Sequence, residues 1–299
     1  MEDILFWCSF RDLSANGEII PELLSAMEYD FSSWRDAETG TLTHTLYFKT
    51  AEEAENAKKH IEAILPDWNA MELKIEDLHT GQLKKEDWAE SWKIHFHPIE
   101  ISERLAVTPS WIDFPAKHGQ KIITLDPGMS FGTGQHATTK FCLTQLDLFA
   151  FEHDVSLMTM LDAGCGSGIL AIAAEKLGFG SAAAFDIDPD AARIAEENAA
   201  ANGCSRIVFS AASLIEFNSD GVKYDVIAAN ILSSALLAGR DKLLSLLKPG
   251  GTLILAGILD KEYSIVRKAF EEGGCVQYAS TEEKQWRGGA FRKQSVKVF

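Results

Sequence analysis

Nine residues, Met160-Leu-Asp-Ala-Gly-Cys-Gly-Ser-Gly168, constrain this chain more than any others. Apolar residues run into Asp162, and glycine follows at positions 164, 166 and 168. Ile169-Leu-Ala-Ile-Ala-Ala-Glu-Lys-Leu177 then reads as a helix with an apolar stripe. A strand, a tight glycine turn and a helix in that order let a ligand touch the backbone and sit near a helix N-terminus. A second strand, Ala182-Ala-Ala-Phe-Asp-Ile187, delivers Asp186, 22 residues past Gly164. An acid at that point can accept hydrogen bonds from the two hydroxyls of a ribose.

Two kinds of cofactor use such a turn. The dinucleotide fingerprint G-x-G-x-x-G needs glycine where Ile169 stands, so it fails here, and a dehydrogenase is disfavoured. The pattern present is an acid, three alternate glycines and a second acid closing the next strand. It resembles motif I of the S-adenosylmethionine-dependent methyltransferases.

At 299 residues the chain is long enough for two domains, or for one large domain with an extension. No apolar run approaches the roughly 20 residues of a membrane helix, and Glu2 and Asp3 stand where a secretory signal would be basic. The five cysteines are widely spaced, without a C-x-x-C pair, so neither a cysteine-pair zinc site nor a disulfide framework is expected. These features point to a cytoplasmic protein with no membrane association and no bound metal.

Charge is uneven along the chain. Residues 1–100 hold 21 acids against 9 lysines and arginines, whereas residues 101–299 hold 23 against 19. A direct nucleic-acid binder would carry a basic face, so none is expected. The acidic surplus serves solubility, or it attracts a basic protein.

The first third reads β-α-β-β-α-β: a strand over Ile4–Phe10, a helix over Ile19–Met27, strands over Phe31–Arg35 and Thr43–Phe48, a helix from Ala51 that ends at Pro66, and a strand over Met71–Ile75. That order predicts a small ferredoxin-like α+β domain over residues 1–78. Residues 79–110 read as a linker with a helix, in which Trp88 and Trp92 at i, i+4 anchor the connection. His95 and His97 lack a third ligand and read as surface or capping residues.

The second domain, residues 111–299, opens with Asp126-Pro-Gly-Met-Ser-Phe-Gly-Thr-Gly-Gln-His-Ala-Thr-Thr139. Its glycines and proline exclude regular structure for most of its length. Thr138 and Thr139 either cap the helix that follows or, for Thr139, reach the polar end of a ligand beneath a glycine-hinged lid carrying Phe131. From Leu157 strands and helices alternate as in a doubly wound parallel sheet, with Asn230 ending the strand Tyr224–Ala229, a helix over Ser233–Leu247, a strand over Thr252–Ala256 and a closing hairpin of Val276–Thr281 with Phe291–Val298.

Three blocks together, Asp126–Thr139, Leu161–Gly168 with Asp186, and Ala228-Ala-Asn-Ile-Leu232, along with Glu86-Asp-Trp-Ala-Glu-Ser-Trp92, closely resemble the bacterial ribosomal protein L-eleven methyltransferases. The resemblance covers roughly residues 80–299. It implies an α/β enzyme whose Rossmann-like seven-stranded methyltransferase domain follows a small ferredoxin-like substrate-recognition domain and a linker. It implies methyl transfer from S-adenosyl-L-methionine to lysine ε-amines and the N-terminal α-amine of ribosomal protein L-eleven; the expected state is a monomer. It also places Thr139, Gly164, Gly166, Asp186 and Asn230 at the cofactor, with Asn230 catalytic. Asn-Ile-Leu-Ser at 230–233 departs from the Asn-Pro-Pro-Tyr of glutamine and DNA-adenine methyltransferases. Ala212-Ser213 stands where many relatives carry an acid for adenine. The rival readings are a same-fold methyltransferase of another protein or a small amine, and a non-catalytic cofactor-binding assembly factor.

Overall fold

The computed structural model describes residues 4–14, 19–27, 29–36, 40–84, 96–126 and 136–295. The chain divides into two compact units, Met1–His95 and Phe96–Phe299.

In the first unit β1 (Ile4–Asp12), β2 (Phe31–Arg35), β3 (Leu42–Phe48) and β4 (Ile75–Lys84) form an antiparallel sheet in the order β2-β3-β1-β4. Alternation puts Cys8 and Phe10 of β1 and Leu46 of β3 on one face, where Ile20 and Leu24 of α1 (Ile19–Ala26) and Ile61 of α2 (Ala51–Ala70) complete the core. This is the expected ferredoxin-like arrangement. Two of its boundaries differ from the sequence reading. A capping box between Thr50 and Glu53 starts α2, but the helix runs through Pro66 to Ala70 rather than ending there. A proline inside a helix costs about 3 kcal/mol. The four residues past it are kept helical by Trp68, which is 3% exposed and packs its ring against Phe10. Residues 71–74 consequently leave the helix, with Glu72 left-handed, and the last strand is β4 rather than Met71–Ile75.

Residues 79–84, assigned to the linker from sequence, are therefore strand, and residues 99–100 of the expected linker form β5 (Ile99–Glu100). The expected helix with Trp88 and Trp92, together with His95, lies outside the described residues, as does Phe131 of the expected lid.

The second unit holds a short sheet, β5-β6-β7, of β5, β6 (Leu105–Thr108) and β7 (Lys121–Thr124), separate from the main sheet. The main sheet has seven strands in the order β10-β9-β8-β11-β12-β14-β13. They are β8 (Thr159–Ala163), β9 (Ser181–Asp186), β10 (Ile207–Ala211), β11 (Tyr224–Asn230), β12 (Leu247–Leu259), β13 (Cys275–Glu283) and β14 (Trp286–Lys293). β8 to β12 run parallel, and β14 lies antiparallel between β12 and β13.

One face is covered by α3 (Ala137–Glu152), α4 (Ile169–Leu177) and α5 (Pro189–Ala201), and the other by α6 (Ser233–Ala238), α7 (Arg240–Leu246) and α8 (Asp260–Glu272). Burial on both faces is why these strands read as nearly continuous apolar runs. The helix expected over Ser233–Leu247 is two helices that meet at Gly239, against which the side chain of Leu214 packs too closely for any Cβ. The closing hairpin uses Trp286–Lys293 rather than Phe291–Val298, because Phe291 is an interior residue of its strand, paired with Leu253. Among the described residues no helix is long and apolar enough to cross a membrane.

Candidate active site

The strand order reverses between β8 and β11, and in open α/β sheets ligands gather beyond the carboxyl ends of the strands at such a reversal. Asp162 pairs with Ala228, so Gly164 and Asn230, each two residues further on, leave the sheet at one level. Gly164 has φ of +79°. A Cβ there would stand 2.3 Å from Cγ2 of Ile231, so only glycine lets the turn lie against the segment after Asn230.

On one side of that segment is a cleft of about 310 Å³ lined by Gly164, Asp186, Ile187, Ala212, Leu214 and Leu232, among others. Asp186 accepts the N–H of Gly166 at Oδ2 (2.8 Å) and that of Asp188 at Oδ1 (3.0 Å). Each oxygen keeps a second lone pair for a ligand hydroxyl. The apolar walls, Ile187 and Leu214, suit a planar base, and Ser213 beside them accepts the N–H of Glu216 and bonds its carboxylate. The volume is at the lower end of the usual range for small-molecule sites. A nucleoside therefore fits the residues present.

Below the turn lies Asp162, 1% exposed. Its Oδ2 accepts the N–H of Ala171 in the first turn of α4 at 3.1 Å, which supplies the cap that the N-cap residue Gly168 cannot. Its Oδ1 has no partner among the described residues. Burial pushes its carboxyl up to about 7, the Ala171 bond opposes this, and the charge of Asp186 adds to it.

On the other side of Ile231 and Leu232 a second cleft, of about 250 Å³, is lined by His136, Thr138, Asn230, Gly257 and Trp286. Asn230 Nδ2 donates to Thr139 Oγ1 at 3.2 Å, while Asn230 Oδ1 is buried with no partner among the described residues. The rings of His136 and Trp286 meet edge to face at 5.1 Å. His136 N-caps α3, and burial holds its imidazole below the ordinary histidine range against the opposing charge of Glu283.

This two-sided arrangement is what a group-transfer enzyme needs, and comparison with known proteins agrees. The family model described as ribosomal protein L11 methyltransferase matches residues 21–294. The chain belongs to the ribosomal protein L11 methyltransferase family. It is 43% identical over 213 residues to the protein of that name from Trichlorobacter lovleyi, covering 71% of this chain and 69% of that one. It is 36% identical over 257 residues to the one from Streptococcus thermophilus, covering 85% and 79%. The crystal structure of a ribosomal protein L11 methylase from Lactobacillus delbrueckii subsp. bulgaricus superposes with a TM-score of 0.58 at 37% identity, over 67% of this chain and 100% of the other.

Within this member of the L11 methyltransferase family, the residues singled out from sequence fall into three places. Gly164 and Asp186 line the first cleft, and Gly166 braces Asp186 from the turn. Asn230 lines the second cleft. Thr139, 1% exposed, lies behind Asn230 as its hydrogen-bond partner. The sequence reading missed His136, Trp286, Gly257, Ile187 and Leu214. Two signals were available: a histidine directly before a helix start is a capping position, and an apolar residue directly after the strand-ending Asp186 has a solvent-facing edge to stack on.

Proposed function

We propose that this chain methylates amines of ribosomal protein L11, both lysine ε-amines and the N-terminal α-amine, using S-adenosylmethionine held in the cleft of Gly164 and Asp186. The observation that carries the reading is the pair of clefts sharing the wall Ile231–Leu232 at the sheet reversal, with the carboxylate of Asp186 on one side and an unsatisfied amide oxygen on the other. Family membership supports the same substrate. A ribosomal substrate also places the enzyme in the cytoplasm, where ribosomes are built.

When bound, S-adenosylmethionine supplies an electrophilic methyl group on a positive sulfur. The residues of this chain then have three tasks. Asp186 would hold the ribose, and Ile187 and Leu214 would supply the apolar walls for the base. Asn230 Oδ1 accepts an N–H of the incoming amine and so turns its lone pair toward the methyl group, a gain in orientation rather than in acid–base chemistry. Trp286 and His136 wall the amine's path, where an aromatic face attracts an alkylammonium and its methylated products. His136, neutral at pH 7, adds no positive charge against the cationic donor.

The acceptor must be neutral to react. A free lysine with a pKa of about 10.4 is neutral only about once in 2,500 molecules at pH 7, a cost near 4.6 kcal/mol. An α-amine at about 7.7–8 costs only about 1–1.4 kcal/mol. Entry into an apolar cleft beside a positive sulfur lowers the amine's pKa and offsets part of this cost. The test is incubation with isotopically labelled S-adenosylmethionine and total ribosomal proteins, followed by mass mapping. Label on lysines and the N-terminus of L11 is expected, and label confined to other proteins would refute the assignment.

A further inference from the structure

Three alternate glycines make the turn after β8 a backbone that does little to support itself. Gly164, Gly166 and Gly168 have φ of +79°, +52° and +79°. Glycine reaches such values at little steric cost, yet it loses more conformational freedom than any other residue when it is fixed. A ligand that had to order the turn itself would bind more weakly by that cost. The turn is instead held from two sides. From β9, the carbonyl of Phe185 accepts the N–H groups of Gly164 and Cys165 at 2.9 Å each, and Asp186 Oδ2 accepts that of Gly166 at 2.8 Å. From α5, Asn198 Nδ2 donates to the carbonyl of Ser167 at 2.9 Å.

The contact with α5 is close. Ala195 lies one helical turn before Asn198 on the same face, and a Cβ on Gly168 would stand 2.9 Å from the Cβ of Ala195. Ser167 is 3% exposed, so its carbonyl needs a partner inside the protein. Asn202, four residues further on, bonds in another direction. It exchanges two hydrogen bonds with the backbone of Thr124 in β7, at 2.7 and 2.8 Å, and its Nδ2 also reaches the carbonyl of Asn198 at 2.9 Å. The two amides divide the work: Asn202 fastens α5 to the short sheet, and Asn198 fastens the glycine turn to α5.

We propose that Asn198 is a positioning residue for the methyl donor, on the reading that S-adenosylmethionine occupies the cleft of Gly164 and Asp186. Asn198 is not among the residues that line either cleft, and it acts through the Ser167 carbonyl. By holding the second half of the turn while β9 holds the first, it keeps the backbone in its binding shape before the ligand arrives. Asn198 therefore sets the affinity for the donor and takes no part in the transfer at Asn230.

The test compares full-length wild type with N198A, N198D and N202A by calorimetric titration with S-adenosylhomocysteine and by amide hydrogen exchange of residues 164–171. N198D keeps the shape but sets an acceptor against the Ser167 carbonyl, so it serves where alanine proves too destabilising to purify. Both Asn198 variants are expected to raise Kd about tenfold. Their residues 164–171 should exchange faster than wild type without ligand and at the wild-type rate when saturated. N202A should lose resistance to urea and keep the wild-type Kd, which separates positioning of the turn from a general loosening of α5. Wild-type affinity and exchange in the Asn198 variants would overturn the inference and leave the cofactor reading standing. An equal rise of Kd in N202A would assign the effect to the helix as a whole and overturn it as well. Wild type that fails to bind S-adenosylhomocysteine would overturn the cofactor reading, and the role of Asn198 with it.

Discussion

Asn230 Nδ2 donates to Thr139 Oγ1 at 3.2 Å, a bond across 91 residues that joins the end of β11 to the first turn of α3. The bond decides which end of the Asn230 amide is engaged. The nitrogen is held by the threonine, and the oxygen is buried and without a partner among the described residues, the atom that in the proposed reaction accepts from the amine. A buried unsatisfied carbonyl costs about 1–3 kcal/mol. Such a cost persists at sites where an incoming ligand removes it. Thr139→Val keeps the shape and removes the acceptor, so the amide is free to turn over. The expected result is a loss of about tenfold in kcat with S-adenosylmethionine affinity nearly unchanged, and Asn230→Ala should lose about a hundredfold. Single-turnover methylation of L11 reads both. The double variant should be no slower than Asn230→Ala alone, because both changes act on one group.

Gly257 sets how far that amide can lean. It sits in a bulge of β12, where the register with β14 shifts between Leu255 and Ile258, at φ of +79°. A Cβ there would lie 2.8 Å from the carbonyl oxygen of Ile231 and 3.1 Å from Asn230 Oδ1. Gly257→Ala should therefore cost about 1–2 kcal/mol of stability from the left-handed backbone alone. It should also push Asn230 out of line and reduce kcat more than stability predicts. Urea unfolding and initial-rate kinetics on the same preparation would separate the two effects. Full activity in a folded Gly257→Ala protein would show that Asn230 does not depend on this contact.

Asp186 joins the glycine turn to the cleft proposed for the cofactor. Its carboxylate accepts two backbone N–H groups, from Gly166 and Asp188. Asp186→Asn has one acceptor oxygen instead of two, so one of these N–H groups loses its partner and the ribose loses a charged one. Charge-assisted hydrogen bonds contribute about twice as much as neutral ones. The dissociation constant for S-adenosylmethionine should rise at least about tenfold in Asp186→Asn and further in Asp186→Ala. Calorimetric titration with S-adenosylhomocysteine measures this without turnover, and equal affinity would remove the ribose role from Asp186.

Much of this site was legible because its demands are local. Positive φ at positions 164, 166 and 168 can be met cheaply only by glycine, and an acid at a strand end announces itself by position. Asn230 could be placed at a strand end from the apolar run before it, but its assignment to the site came from the family resemblance. The elements that escaped are those fixed by partners distant in sequence. Trp286 reaches the acceptor cleft because β14 begins there, yet Gly288, Gly289 and Ala290 weaken the strand signal. Phe141 packs over Gly288 and the hydroxyl of Tyr263 crowds Gly289, so small residues are required by packing that no local pattern displays. Pro66 misled in the opposite way: its local rule is strong, but the burial of Trp68 outweighs it.

Asp162 gives the protein a pH dependence whose sign follows from its burial. Its ordinary value is 3.8, and in the folded chain it is pushed up to about 7, chiefly by desolvation. Between these two values the unfolded chain has released the proton and the folded chain still holds it. The folded state then binds more protons, so stability falls as pH rises through this window. The slope is at most about 1.4 kcal/mol per pH unit from this one group. Above about pH 7 the group is ionised in both states and the loss is complete. Asp162→Asn keeps the acceptor for the Ala171 N–H and imitates the protonated acid. Measured by urea unfolding, the variant should match wild type near pH 4 and become progressively more stable than wild type up to pH 7–8. The groups that face Asp162, Cys142 from α3, Cys165 from the turn and Asp186 from β9, offer it no positive charge. Among the described residues nothing else cancels the carboxylate, and a cationic donor bound above the turn is expected to do so. S-adenosylmethionine should therefore bind wild type more tightly as pH rises from 6 to 8, a trend that Asp162→Asn should abolish. A pH-independent affinity in wild type would show that Asp162 does not sense the cofactor's charge.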